Sequence, residues 1–249
     1  MKRLLWLIIL LGLAVPISAQ VDLNGAAEAY NGGDFQTAIE IYELANAANQ
    51  RSAALFYNLG NAYFEADLNG YAMVNYLRAL YYAPRDSDTT LRIARVRSES
   101  TVTSTTSPNG FLQLANITYR LMTLRELSII AILLWFTLGT CVVIANLRGR
   151  WRVDAIATVG VMGAIFALVA VLLFSRIWVQ YQMPPAVVVD QSIPVYSGSD
   201  TSYLTLFDLT EASEVWVTER NGDFVKVLLP DGRRGWIDEV ALIYPLRGL

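Results

Sequence analysis

Residues 53–84 read AALFYNLGNAYFEADLNGYAMVNYLRALYYAP, and the placement of their small residues sets the reading of everything around them. The run Phe56-Tyr57-Asn58-Leu59-Gly60-Asn61-Ala62-Tyr63 carries one glycine among large side chains. Gly60 belongs where two helices approach closely, Ala72 and Ala79 are small enough to receive a neighbouring helix's large side chains, and Pro84 stops a second helix. The pattern has a period: Ala38, Tyr42 and Ala45 recur as Ala72, Tyr76 and Ala79, each pair 34 residues apart. A repeat of this length is one supersecondary unit that buries its apolar face only by stacking on its neighbours. The first copy spans residues 19–52, with a short opening helix at Ala26-Ala27-Glu28-Ala29-Tyr30 and a turn at Gly33-Asp34-Phe35. A further helix over residues 89–97 puts Ile93 and Ala94 at the positions of Leu59 and Gly60, and is expected to cap the stack with a polar outer face.

The rest of the chain of 249 residues is bounded by composition: 54% of residues are hydrophobic and 16% charged. Soluble globular domains carry about 45–50% apolar and about 25% charged residues, so part of this chain is expected in a membrane. Histidine is absent and Cys141 is the only cysteine. That excludes intrachain disulfides, Cys/His zinc sites, Ser–His–Asp and Cys–His nucleophile systems, and imidazole acid–base catalysis. The sequence has no Gly-rich phosphate loop either, and the expectation is a protein that is not an enzyme and holds no cofactor and no metal.

Three apolar blocks account for the excess. In residues 1–19, Lys2 and Arg3 precede the apolar run from Leu4 to Val15 and then Pro16-Ile17-Ser18-Ala19, the layout of a secretory signal peptide. Cleavage after Ala19 is expected; an uncleaved anchor is the other reading. Residues 127–147 form a first transmembrane helix and residues 154–178 a second, whose apolar stretch is 155–174. Each charge-free stretch is about 30 Å long as a helix, the thickness of the hydrocarbon core. The joining loop, residues 148–153, holds Arg148, Arg150 and Arg152, which mark it as cytoplasmic. An exported N-terminus predicts the same topology, with both flanking parts outside. Residues 99–126 read as a Ser/Thr-rich linker followed by a juxtamembrane amphipathic helix over 111–124.

After Pro184-Pro185 the pattern changes to short β runs, with candidate strands at 186–189, 195–196, 213–219, 224–229, 234–238 and 241–244. Asn221-Gly222-Asp223 and Pro230-Asp231-Gly232 are tight-turn sequences. Strands this short over residues 184–246 predict a small barrel, and no strand is read between residues 196 and 213. Trp236 is either core or the floor of a binding groove. Residues 184–249 carry ten acids and five bases, and residues 20–98 nine acids and six bases, so nucleic acid is excluded as a partner.

The repeat resembles the tetratricopeptide pattern W-x2-L-G-x2-Y, A-x3-F, P, with Phe56 in place of the first aromatic. The resemblance implies a concave face built from the first helix of each repeat, which holds a peptide or a protein. On this chain that face would include Tyr30, Tyr57, Asn58, Asn61, Phe64 and Arg92, with Asn58 at the position that hydrogen-bonds a ligand backbone. Leu23 and Asp88 stand where carboxylate-clamping versions have basic residues, so a clamp is not expected. Tyr57 and Phe64 have a second reading, as packing within the stack. The C-terminal run Asp231-Gly232-Arg233-Arg234-Gly235-Trp236-Ile237 resembles a bacterial SH3-like domain. The architecture as a whole resembles the BatE-like tetratricopeptide proteins of bacterial aerotolerance (Bat) operons. That resemblance implies a scaffold at the outer face of the cytoplasmic membrane, with von Willebrand factor A domain proteins and a MoxR-type ATPase system as partners. The expected fold class is a multidomain membrane protein: an all-α repeat domain, two transmembrane helices and a small all-β SH3-like barrel. The alternative function is an envelope sensor whose barrel binds peptidoglycan or a wall peptide.

Overall fold

The computed structural model describes residues 21–99, 122–147 and 153–247. The expected signal peptide, the Ser/Thr-rich linker with most of the juxtamembrane helix, and Arg148, Arg150 and Arg152 lie outside the described residues.

Five short helices come first: α1 (Asn24–Asn31), α2 (Phe35–Ala47), α3 (Ala53–Glu65), α4 (Asn69–Tyr82) and α5 (Ser87–Glu99). Local chemistry starts and stops them. Asp34 accepts from the Thr37 amide at 3.1 Å, Ser52 from the Leu55 amide at 3.1 Å and Asp86 from the Thr89 amide at 2.9 Å, each satisfying a donor at a helix start. Gly33 turns the chain at φ 81°, and Asn49 and Asp67 end α2 and α3 at φ 62° and 60°. Each helix packs on its neighbours in the chain, so the unit is a stack. Ala26, Ala38, Ala45 and Ala62 are fully buried between larger residues such as Tyr42, Leu55 and Leu59. A Cβ on Gly60 would stand 2.7 Å from the ring of Tyr76, which places α3 directly on α4. Pairs of stacked helices are thus present where the period predicts them.

Next come α6 (Leu124–Leu147) and α7 (Val153–Gln182). Thr123 and Glu126 start α6 with a reciprocal box: the Glu126 amide donates to Thr123 Oγ1 at 3.0 Å, and the Thr123 amide to Glu126 Oε2 at 2.8 Å. The two helices lie side by side, with Trp135 against Phe166 at 5.4 Å. Both are long and apolar enough to cross a membrane, and almost none of the residues in their apolar spans are fully buried. Helix α7 has 30 residues, about 45 Å at 1.5 Å per residue, so it outruns a bilayer core by several turns.

Only Met183 and Pro184 separate α7 from the sheet. Its strands are β1 (Pro185–Val188), β2 (Ser192–Tyr196), β3 (Thr205–Thr210), β4 (Glu214–Asn221), β5 (Phe224–Leu228), β6 (Arg234–Asp238) and β7 (Leu242–Ile243). All pairings are antiparallel, in the order β3-β2-β6-β5-β4-β1-β7. The expectation of a barrel is corrected: β3 and β7 are the two edges and do not pair. The sheet still wraps a single core that takes side chains from every strand, among them Val188, Val195, Leu209, Val217, Val227 and Ile237. A second correction concerns β3, which occupies a stretch where no strand is read in sequence.

The sheet is also docked on the helices. Strand β1 is buried on both faces: Ala186 and Val188 enter the sheet core, while Val187, with Val189 just beyond the strand, packs on Met73, Val74, Ile93 and Val96 of α4 and α5. A Cβ on Gly70 would come within 2.6 Å of the Val188 carbonyl, so only glycine admits this approach. Glu211 Oε1 accepts from the Gly70 amide at 2.7 Å and caps α4, whose own residues supply no side-chain cap. Arg97 donates to both oxygens of Glu214 at 2.6 and 3.0 Å, and Arg78 Nε donates to the Pro245 carbonyl at 3.1 Å.

Candidate protein-binding groove

The first helix of each pair, together with α5, forms one face of the stack. On it Tyr57 and Glu65 of α3 and Arg92 of α5 come close enough to Tyr30 of α1 to act on its ionisation. The Arg92 guanidinium lies beside the Tyr57 hydroxyl, whose polar oxygen holds the guanidinium pKa above the usual value. Tyr30 is held up chiefly by burial and secondarily by the charge of Glu65. The face therefore carries a phenol-rich floor with charges of both signs on it. Phe64 lies at its edge with the Arg95 guanidinium 4.7 Å above its ring.

The six residues read from the sequence divide in three ways. Tyr30, Tyr57, Phe64 and Arg92 are half-buried and present part of their surface, and Asn58 is exposed. Asn58 also lies beside the Tyr42 hydroxyl of α2 and favours its ionised form, against the stronger effect of burial. Asn61 belongs to the packing: it is buried, and its Oδ1 accepts from the Tyr76 hydroxyl at 2.8 Å. Burial raises the Tyr76 hydroxyl pKa well above its usual value, which keeps it a donor. Tyr57 does both jobs, since its ring also leans on Tyr76 at 6.1 Å. Glu65 and Arg95 join this face without having been singled out in the sequence, where both read as ordinary solvated charges of a helix.

The sheet offers a smaller candidate. In β6, Gly235 and Ile237 are buried while Trp236 between them is half-buried, so Trp236 lies on the outer face and not in the core. Lys226 Nζ sits 5.7 Å from its ring centre, Tyr196 is its partner across the sheet, and Phe224 meets Tyr196 edge-on at 6.1 Å. Three aromatic rings and one cation thus share an outer patch. Among the described residues, no group of three or more His, Cys, Asp or Glu side chains is arranged to hold a metal ion.

No protein-family model matches the chain, and no curated protein matches its sequence.

Proposed function

We propose that this chain is a non-catalytic, membrane-anchored scaffold that holds a protein or peptide in the face formed by α1, α3 and α5. The observation that carries the reading is the convergence of Tyr30, Tyr57 and Arg92 from three separate helices onto one partly open face. Aromatic residues and arginine are the side chains that most often dominate binding energy at protein interfaces. On this reading α6 and α7 both cross the cytoplasmic membrane of a bacterium and the loop of residues 148–153 is cytoplasmic. The repeats are of the tetratricopeptide kind, the sheet is an opened SH3-like domain, and both lie on the exported side. The resemblance to BatE-like proteins supplies the partner class: envelope proteins, including von Willebrand factor A domain proteins that work with a MoxR-type ATPase.

A photo-crosslinking amino acid at exposed Asn58, in intact cells, tests the groove against the same label at exposed Leu44 of α2. The expected result is a distinct set of adducts from position 58, lost when Tyr30 and Arg92 are both changed to Ala in a chain of unchanged helicity. Identical adduct patterns from the two positions would sink the assignment.

The outer patch around Trp236 favours a second reading, an envelope sensor that stacks a peptidoglycan sugar or wall peptide on its rings. Sedimentation of the full chain with purified peptidoglycan, abolished by Trp236→Ala, is the result this reading requires.

A further inference from the structure

The end of α4 carries two adjacent tyrosines with no role in the stack's open face. Tyr81 is 52% exposed and Tyr82 39% exposed, and their rings meet edge-to-face at 5.5 Å. Tyr82 also stacks on the buried Phe56 ring at 5.7 Å, so the pair is fixed in place while Tyr81 offers its surface to an occupant. The turn that follows them shows what that occupant is. Pro84, Arg85 and Asp86 face Met122, Thr123 and Glu126 across a shared cleft, and Arg85 is paired with Glu126 at 3.3 Å. Glu126 is the last charged residue before 21 uncharged residues, 127–147, and its capping box with Thr123 fixes where α6 begins. The α4–α5 turn is therefore tied to the point at which α6 would enter lipid. At that same end of the hairpin α7 emerges from its apolar span, Ile156–Ser175, with Trp178 46% and Tyr181 77% exposed.

We infer that Tyr81, Tyr82 and Arg85 form a membrane-contact surface that seats the helical stack on the lipid interface, level with Trp178 and Tyr181. Tyrosine and tryptophan concentrate at this depth because an apolar ring and a polar group each find their own medium there. Arginine adds a headgroup contact and keeps its stem against the apolar side. The stack is then no tethered ball on a linker: it rests on the bilayer, and its groove is held at a fixed height above the membrane. The inference rests on the reading of α6 as a membrane-crossing helix.

Environment-sensitive NBD labels on single cysteines, in a Cys141→Ser full chain reconstituted in phosphatidylethanolamine–phosphatidylglycerol nanodiscs, test it. The three positions are Tyr81→Cys, Leu44→Cys as the aqueous reference and mid-helix Leu133→Cys as the lipid reference; all three side chains are more than half exposed. Lipids brominated high on their acyl chains should quench the labels at 81 and 133 several-fold more than the label at 44, with aqueous iodide giving the reverse order. Circular dichroism identical to the parent chain is required of each variant, and Tyr82→Cys is read in place of Tyr81→Cys where that condition fails. If 133 is quenched by lipid but the tyrosine position behaves like 44, the seat is wrong and the crossing stands. If 133 is not quenched either, the crossing itself fails and the seat fails with it.

Discussion

At Gly60 the side chain that is missing matters more than any that is present. A Cβ there would lie 2.7 Å from two atoms of the Tyr76 ring, and that ring cannot retreat: Tyr76 is fully buried and its hydroxyl is held by Asn61. Gly60→Ala should therefore destabilise the stack in spite of alanine's better helix propensity, by about 1–3 kcal/mol, the usual cost of overpacking. Gly163→Ala is the contrast, since nothing lies within 4 Å of where a Cβ would stand, and it should leave stability unchanged. Denaturant melts of the full chain in detergent, followed at the tyrosines, separate the two; equal midpoints would mean that the α3–α4 contact is misread. Gly60 was legible in the sequence because its partner lies in the next helix of the same repeat. Gly70 was not, because the backbone that crowds it belongs to β1, far along the chain.

Single elements show the same division between what is local and what is not. The helices, their caps and the spans of α6 and α7 follow from periodicity, Asp34, Ser52 and the uncharged runs, all read within one segment. Strand β3 escaped because its apolar residues fall on both faces: Leu209 is buried, while Leu206 is exposed. The unbroken run Ala186-Val187-Val188-Val189 did carry a signal, since a strand without alternation is one buried on both sides. Helix α4 depends on such a distant partner, Glu211, for its cap. Burial raises the Glu211 pKa, with Asp67 and Asp190 adding to it and the Gly70 amide opposing it. The folded state thus binds this proton more tightly than the unfolded chain, so the stability contributed by Glu211 is present below its ordinary pKa and is lost as pH rises through the raised value. Glu211→Gln keeps an acceptor for Gly70 without the charge. Its stability should match the parent at acid pH and exceed it at neutral pH. Glu211→Ala should lose the cap at every pH, at a cost of about 0.5–2 kcal/mol. Parallel pH-dependent melts of the three chains decide this, and a glutamine variant that loses ground as pH rises would reverse the sign assigned to burial.

For the whole molecule the main constraint is that the part before α6 and the part after α7 touch. Contacts such as Arg97 with Glu214, and the apolar cluster that holds both Met73 and Val187, put both parts in one compartment, which is what the proposed pair of crossings requires. With the orientation proposed from Arg148, Arg150 and Arg152, phosphatase fused after residue 99 or residue 247 should be active, and phosphatase inserted in the loop of residues 148–153 inactive; the opposite pattern would overturn the orientation. The same contact predicts how the molecule melts. Arg97 and Glu214 form a bidentate pair, but each keeps part of its surface in water, so removing the pair alone should cost only about 0.2–1 kcal/mol. Arg97→Glu does more than remove it, because it sets two carboxylates against each other beside the apolar contact of Val187 and Val189 with α4 and α5. That variant should split the thermal transition, with the sheet and the stack melting separately. Arg97→Glu with Glu214→Arg restores opposite charges at the same two positions and should restore a single transition. Calorimetry of the three chains reads the coupling directly. If Arg97→Glu keeps a single transition, the pair is incidental, and the two parts are held by the apolar contact, the Glu211 cap and the Arg78–Pro245 bond.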